Sequence, residues 1–133
     1  MSTHAYIKLV PASKKKTITL EEVKELFHTY QQLMKKTGEQ LGWGFENASF
    51  PYQLVEDGNE QWFYLKGTND RYHSIIIGVG QESDETSFIQ VTLPNNATHG
   101  DKGKANEFCK FLTKQLEGEL HLFNGRIMYY YKR

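Results

Sequence analysis

Cysteine, net charge and long apolar runs are all scarce in this 133-residue sequence, and each shortage excludes a class of protein. The single cysteine, Cys109, excludes an internal disulfide framework and a four-cysteine metal site, and it fits a reducing cytosol. Sixteen basic and sixteen acidic residues cancel, which argues against a dedicated nucleic-acid binder because such domains are usually strongly basic. No apolar run approaches the ~18 residues of a membrane span, and the N-terminus lacks a signal-peptide pattern. These absences predict a soluble, cytoplasmic protein.

The length and the order of local patterns predict one α+β domain spanning residues 1–133. A chain of this size can bury about two-thirds of its unfolded surface, so it needs neither a metal nor a disulfide to fold. Alternation of polar and apolar residues predicts a first strand from His4 to Val10. Thr19 and Glu22 then form a capping box ahead of a long amphipathic helix, which Gly38 could end a turn early.

Short apolar runs after the first helix predict three further strand pairs. Tyr52–Val55 and Trp62–Lys66 flank a turn centred on Gly58-Asn59, a register that pairs Leu54 with Phe63. Asn124-Gly125 is a strong two-residue hairpin signal near the C-terminus. The remaining predicted elements are two strands, a helix that ends at Gly118, and the two arms of the last hairpin: Tyr72–Gly80, Phe88–Leu93, the helix after Lys104, Leu120–Phe123 and Arg126–Tyr131. The resulting order is β-α-β-β-β-β-α-β-β, a mainly antiparallel sheet with two helices on one face.

The other face of that sheet is predicted to be too apolar for open solvent. An antiparallel sheet normally keeps one face polar, yet these registers give this face six large apolar or aromatic side chains: Trp62, Tyr64, Ile76, Phe88, Met128 and Tyr130. Either the irregular segment Gly42–Pro51 covers them, or a partner does. The second alternative predicts a homodimer through Trp62, Tyr64, Phe88 and Tyr130.

The segment from Asn96 to Lys104 is the one place where residue chemistry suggests a ligand. His99, Gly100, Lys102, Gly103 and Lys104 precede an amphipathic helix, whose N-terminus exposes unpaired N–H groups and a partial positive charge. This arrangement predicts a site for a small anion, with Asp101 either repelling the anion or orienting His99. The competing interpretation is a flexible lead-in that Asp101 caps and whose lysines are solvated.

No pattern identifies a catalytic or metal-binding group. The five histidines are dispersed, and although His73 and His121 could meet across the sheet, no carboxylate or cysteine lies at ligand spacing. Cys109 falls on the apolar face of the second helix, which indicates a core residue rather than a nucleophile. There is no Gly-x-Ser-x-Gly elbow. We therefore expect no catalytic residue, no metal, no cofactor and no membrane or nucleic-acid partner, and an enzyme is the less favoured class.

Three strings carry a resemblance to a known family: Ala5–Ser13 (AYIKLVPAS), Thr17–Leu26 (TITLEEVKEL) and Ala97–Leu112 (ATHGDKGKANEFCKFL). They resemble a family of small proteins from Bacillus-type spore-forming bacteria that is classed as a domain of unknown function. The resemblance runs over nearly the whole chain. It implies a compact α+β domain from a cytosolic bacterial protein, and it implies no activity, cofactor or site residue.

Two functions follow as predictions. The first is a non-catalytic regulatory or protein-interaction module that uses the second face of the sheet. The alternative is a binder of a phosphorylated or carboxylated small molecule at the Gly100–Lys104 loop and the helix N-terminus after it.

Overall fold

The computed structural model describes residues 3–41, 50–56, 61–82 and 85–131, and for residues 37–41 it describes the backbone only. The described residues form two helices, α1 (Leu20–Leu41) and α2 (His99–Leu116). They also form seven strands, which are β1 (Thr3–Lys8), β2 (Tyr52–Val55), β3 (Trp62–Gly67), β4 (Ser74–Gln81), β5 (Ser87–Leu93), β6 (Glu119–His121) and β7 (Ile127–Tyr129).

The described strands make one sheet in the order β2-β3-β4-β5-β1-β6-β7, and every neighbouring pair is antiparallel. The predicted element order and the α+β fold class are therefore confirmed. The N-terminal strand β1 lies between β5 and β6, so it joins the four-strand meander β2–β5 to the C-terminal hairpin.

Both helices pack on one face of the sheet, and aromatic rings fill the space between the layers. Phe27 of α1 meets Phe108 of α2 edge-to-face at 5.4 Å and Phe63 of β3 at 6.1 Å between ring centroids. Such edge-to-face pairs add to the stabilisation from buried apolar area. All three rings are buried, together with the inward-facing residues of the central strands.

The beginning of α1 follows the predicted chemistry. The Thr19 N–H donates to a Glu22 carboxylate oxygen at 3.1 Å, and the Glu22 N–H donates to the Thr19 hydroxyl oxygen at 3.2 Å. This reciprocal pair satisfies two donors at the helix start, and it confirms the predicted capping box. The helix continues past Gly38 to Leu41.

The last hairpin corrects a predicted register. His121 pairs with Ile127, and the Gly125 N–H donates to the Leu122 carbonyl oxygen, so the loop holds three residues rather than two. Gly125 has a φ of 86°, the left-handed conformation that such a loop needs at its last position. A shift of one residue moves every side chain of a strand to the opposite face. Met128 therefore lies on the helix side and Ile127 on the other side, the reverse of the prediction.

The same correction applies to Tyr130. By alternation with Met128 it lies on the helix side, where it packs against the buried core. It consequently does not belong to the face that was predicted to bind a partner.

The first hairpin differs from its prediction by two residues. Leu54 pairs with Leu65 and Tyr52 pairs with Gly67, so the faces are as predicted although the partners are not. The predicted turn at Gly58-Asn59 lies outside the described residues, as do residues 42–49 of the segment proposed to cover the sheet. Strand ends differ by one or two residues elsewhere, for example where β1 ends at Lys8 rather than Val10.

Candidate functional site

The predicted anion-binding residues lie inside helix α2, not in a loop ahead of it. Thr98 is the N-cap, and its hydroxyl oxygen accepts from the Asp101 N–H at 3.1 Å. The Asp101 carboxylate in turn accepts from the Thr98 N–H at 3.0 Å. This is a second capping box, with aspartate in the position usually held by glutamate or glutamine.

Asp101 is fully buried, and its carboxylate joins three parts of the fold. It accepts from the Tyr52 hydroxyl at 2.5 Å, from the His73 N–H at 3.0 Å and from the Ser74 N–H at 3.3 Å, besides the bond from Thr98. Burial, followed by the hydrogen bond to Asp101, raises the pKa of Tyr52, which therefore stays protonated and remains a donor. A carboxylate of the chain itself thus takes the place that a bound anion would have at this helix start.

Gly100 is explained by close packing. A Cβ atom on Gly100 would lie 2.8 Å from the carbonyl oxygen of Arg71 and 2.8 Å from the ring of Tyr72. The Thr98 hydroxyl donates to the same Arg71 oxygen at 2.6 Å. The helix start is therefore held directly against the chain that leads into β4.

The remaining predicted site residues do not converge on one point. Lys102 and His99 are exposed, and Gly103 faces open space. Lys104 pairs with Glu107 at 2.8 Å. Residues two apart on a helix point about 200° apart, so Lys102 and Lys104 do not face a common ligand.

The other candidate groups are also dispersed. His73 contacts Ser74 and Asn96, while His121 contacts Glu119, so the two histidines do not meet. Cys109 is fully buried, and burial raises the pKa of its thiol to about 12, which confirms that it is a core residue. In the part of the chain that the structure describes, no group of three histidine, cysteine or acidic side chains could hold a metal ion.

The face of the sheet opposite the helices, called here the open face, carries aromatic pairs around a trough. Trp62 and Tyr64 of β3 stack edge-to-face at 4.9 Å, and Tyr6 of β1 meets Phe88 of β5 at 5.9 Å. Trp62, Tyr64 and Phe88 lie on this face, as the alternation of the strands predicted, and they are half-buried. Between the two pairs lies a trough of about 220 Å³.

Glycines create that trough. Gly78 and Gly80 lie two apart on β4 and so share the open face, where they leave room between Trp62 on one side and Phe88 on the other. The ring of Phe88 lies over Gly80, where a Cβ atom would be 2.5 Å from it. Sequence reasoning missed this depression, although two glycines at i and i+2 within an apolar strand were a readable signal.

Polar side chains also lie on the open face, both between the aromatic pairs and near its edge. The His4 ring contacts the Thr92 hydroxyl at 2.9 Å, and the Gln90 amide donates to the same hydroxyl at 3.2 Å. Lys8 forms an ion pair with Glu82 at 2.9 Å. Gln90 and Thr92 also line the trough, so a polar row crosses the middle of the open face and the aromatic pairs lie on either side of it.

The chain belongs to the family described as Domain of unknown function (DUF1885), which it matches over residues 3–132. It is also similar to a solved structure described as a protein of unknown function from Bacillus stearothermophilus, at 51% identity with a TM-score of 0.62. The similarity covers 90% of this chain and 93% of that one. The predicted family resemblance is thereby confirmed. A comparison with curated proteins finds no match.

The helices show no sign of a membrane span. Among the described residues, neither helix has both the length and the apolar content that crossing a bilayer requires.

Proposed function

We propose that this protein is a non-catalytic interaction module whose open face binds a second copy of the chain. The single observation that carries the proposal is the pair of aromatic contacts around the Gly78 trough on a face that neither described helix covers. Half-buried aromatic side chains with an unfilled depression between them leave apolar area exposed to water. A partner surface that covered this area would remove it from water, which favours association.

The open face is self-complementary across a twofold axis. Strand pairing places Gly78, Gln90 and Tyr6 in one row, with the trough on β4 and the aromatic ridge on β1 at either side of β5. A twofold axis parallel to β5 therefore brings Tyr6 of each copy over Gly78 of the other. One symmetric contact fills both troughs, which is the arrangement that twofold dimers favour.

The size of the face indicates a reversible dimer. The aromatic contacts reach from β3 to β1, which is about 15 Å at the usual strand spacing, and they extend about 15 Å along the strands. Such a patch is smaller than the ~600 Å² per partner of the smallest specific interfaces, so we expect a weak dimer.

Sedimentation equilibrium from micromolar to millimolar protein tests the proposal directly. We expect a monomer–dimer equilibrium, and we expect Trp62→Ala to weaken it at least about tenfold because aromatic anchors dominate small interfaces. The matched control is Leu33→Ala, since Leu33 is 45% exposed on α1, on the opposite side of the molecule. A protein that stays monomeric over the whole range, or a dimer equally insensitive to both substitutions, rules the open-face dimer out.

Anion binding at the start of α2 stays a second prediction, supported by the exposed Lys102 and His99 beside a helix N-terminus. Its test is the rise in melting temperature that phosphate or citrate produces. Replacing Lys102 with alanine should reduce that rise and weaken its dependence on salt, whereas replacing Lys104, which pairs with Glu107, should not. An unchanged rise in the Lys102→Ala variant argues against the site.

A further inference from the structure

Neighbouring hydrogen bonds show which backbone groups of the edge strand β2 point toward β3 and which point away from the sheet. The Thr68 N–H donates to the Pro51 carbonyl oxygen at 3.0 Å, across the end of the β2–β3 pair. The Gly67 N–H points the other way and donates to the His73 carbonyl oxygen at 2.7 Å, next to β4. Successive residues of an antiparallel ladder alternate in this manner, so the inward and outward positions of β2 can be assigned.

The assignment leaves two residues of β2 directed outward. Gln53 and Val55, paired with Lys66 and Tyr64, exchange their backbone hydrogen bonds with β3. The N–H and carbonyl groups of Tyr52 and Leu54 therefore point away from the sheet. Since β2 is the first strand in the sheet order, no described strand pairs with this edge. An unpaired edge of this kind is a template for another strand.

A groove runs along the same edge, between β2 and helix α1. It encloses about 350 Å³, within the usual range of ligand and side-chain pockets. Its apolar lining includes Phe27 of α1, together with Phe50 and Leu54. Its polar lining includes Lys24, His28 and Gln31, which are three successive positions of one α1 face.

One end of the groove has an excess of negative charge. The Lys24 ammonium bonds to Glu56 and to Glu21, the latter at 3.0 Å, so two carboxylates surround one cation. The hydrogen bond that Lys24 donates to Glu56 is the main cause that raises the pKa of Lys24, which is protonated at neutral pH. The Glu21 side chain is 81% exposed and the Glu56 side chain 57%, so both carboxylates remain within reach of a further cation.

We propose that the groove between β2 and α1 binds an extended peptide segment of a partner protein as an added strand. The peptide pairs with the outward backbone groups of Tyr52 and Leu54. One of its apolar side chains enters the cavity beside Phe27, and a lysine or arginine two residues away lies against Glu21 and Glu56. This is strand addition, in which main-chain bonds supply affinity and alternate side chains supply specificity.

A second copy of the chain fits this edge less well than a peptide. Twofold pairing about Gln53 would place Leu54 opposite Tyr52 of the second copy. The Tyr52 hydroxyl is bound to Asp101 within its own copy, so that ring is turned into its own core and cannot enter the cavity. The groove would stay empty, and an empty apolar cavity costs free energy.

Amide hydrogen exchange of the free protein, followed by NMR, tests the edge itself. We expect the Tyr52 and Leu54 amides to exchange fast and the Gln53 and Val55 amides to exchange slowly. Protection of Tyr52 and Leu54 in the free monomer would show that the edge is already covered, and it would overturn the proposal. Protection that grows with protein concentration would assign the edge to a second copy and would overturn it equally.

Selection from a displayed library of random heptapeptides tests the occupant. We expect enriched sequences to place a lysine or arginine two residues from a large apolar residue. Addition of an enriched synthetic peptide should slow exchange at Tyr52 and Leu54. Failure to enrich any sequence, or enrichment of peptides that leave these two amides unprotected, would reject strand addition.

Matched substitutions separate the backbone contribution from the side-chain contribution. Leu54→Pro and Leu54→Ala both remove the leucine side chain, but only the first removes the outward N–H, a loss that an edge strand tolerates. We expect the enriched peptide to bind Leu54→Pro about tenfold more weakly than Leu54→Ala. Equal affinities would contradict strand pairing at this position.

Glu21→Gln tests the charge. Because the Glu21 side chain is largely exposed, the substitution leaves the fold intact, and we expect it to weaken binding of the basic peptide about threefold at low salt. The edge experiments are independent of the open-face dimer, since a dimer through the open face leaves the exchange of Tyr52 and Leu54 unchanged.

Discussion

The two faces of the sheet carry similar apolar and aromatic residues, but these residues are buried to different depths. On the helix face, Phe63, Ile75 and Ile77 are completely buried beneath α1 and α2. On the open face, Trp62, Tyr64 and Ile76 alternate with them along the same strands, yet they remain half-buried. The strands are apolar on both sides, so what distinguishes the two faces among the described residues is that α1 and α2 cover only one of them.

The helix face is also the only one of the two with a fully buried carboxylate among the described residues. The Asp101 carboxylate accepts four hydrogen bonds. One donor lies on β2 and two at the beginning of β4, so these three attach the start of α2 to the sheet, and the fourth donor is the N-cap of α2 itself. The open face has polar contacts too, and those among His4, Thr92 and Gln90 lie beside the trough, where Thr92 is buried. The two faces therefore differ in the kind of polar group at their centre, which is a carboxylate on the helix face and hydroxyl and amide groups on the open face.

The largest expected difference between the faces is in the cost of truncating an aromatic residue. Phe108→Ala should lower the free energy of unfolding by about 4 kcal/mol, because it opens a cavity among the rings between the helices and the sheet. Trp62→Ala should lower it by no more than about 1.5 kcal/mol, since the half-buried ring leaves no enclosed void. Urea unfolding of the monomer gives both values. Comparable losses would contradict the distinction between a packed face and an open one.

The next effect concerns the buried carboxylate. Asp101→Asn should lower the free energy of unfolding by about 3 kcal/mol, because the amide keeps one acceptor and turns an NH₂ group toward buried N–H donors. Tyr52→Phe, which removes one donor and leaves the carboxylate bonded to three, should cost about 1.5 kcal/mol. Denaturant unfolding of the two variants in parallel measures the difference. A loss no larger for Asp101→Asn than for Tyr52→Phe would show that the Asp101 carboxylate adds no stability beyond its hydrogen bond with Tyr52.

Alkaline pH should weaken the helix side selectively. Burial raises the pKa of Cys109 from 9.0 to about 12, and burial is also the main cause that raises the pKa of Tyr30 and of Tyr52 above 10.0. The unfolded chain therefore loses these protons first, so the stability is complete below about pH 9 and declines as the pH rises further. Each proton contributes a slope of up to about 1.4 kcal/mol per pH unit.

Urea midpoints between pH 7 and pH 11 measure this decline. Cys109→Ala should remove the decline in stability that begins near pH 9. Tyr52→Phe should remove part of the further decline that begins near pH 10. A flat profile over this range would contradict the burial of all three groups.

The smallest expected effect on stability is at Gly78. A Cβ atom there would lie 3.3 Å from the Gln61 carbonyl oxygen and 3.5 Å from the Trp62 Cβ, a tight but tolerable fit. Alanine also lowers the entropy of the unfolded chain, so Gly78→Ala should change the free energy of unfolding by less than about 1 kcal/mol. Self-association should nevertheless weaken, because the methyl group fills part of the trough. Sedimentation and urea unfolding of the same sample separate the two effects.

Local chemistry allowed most elements to be predicted from the sequence. The Thr19–Glu22 capping box and the apolar stripe after it defined α1, because both signals lie within a few residues of one another. The second capping box was predicted only in part: one interpretation made Asp101 a cap, but aspartate replaces the usual glutamate and Gly100 and Gly103 suggested a loop. Only the packing of Gly100 against Arg71 explains why a glycine stands in that helix, and this contact is not local.

The candidate sites were harder to predict because they depend on register. At the C-terminal hairpin, two-residue and three-residue loops both suit Asn124-Gly125, yet they place Met128 on opposite faces. Trp62, Tyr64 and Phe88 were assigned to the open face correctly, since their strands alternate clearly. The edge position of β2 could not be predicted, because it results from which strands are neighbours, whereas Gly78 and Gly80 were a readable signal of the trough.

The central position of β1 has a consequence for how the chain folds. Residues 3–8 pair with residues 88–93 and 119–121, so the first strand of the sheet must wait for partners that lie far later in the sequence. Its pairings close long loops, a high contact order that slows folding. Until β1 inserts, the C-terminal hairpin has no neighbour in the sheet, and the meander β2–β5 exposes its β5 edge. Insertion of the first strand is therefore the step that commits two separate halves to one cooperative structure.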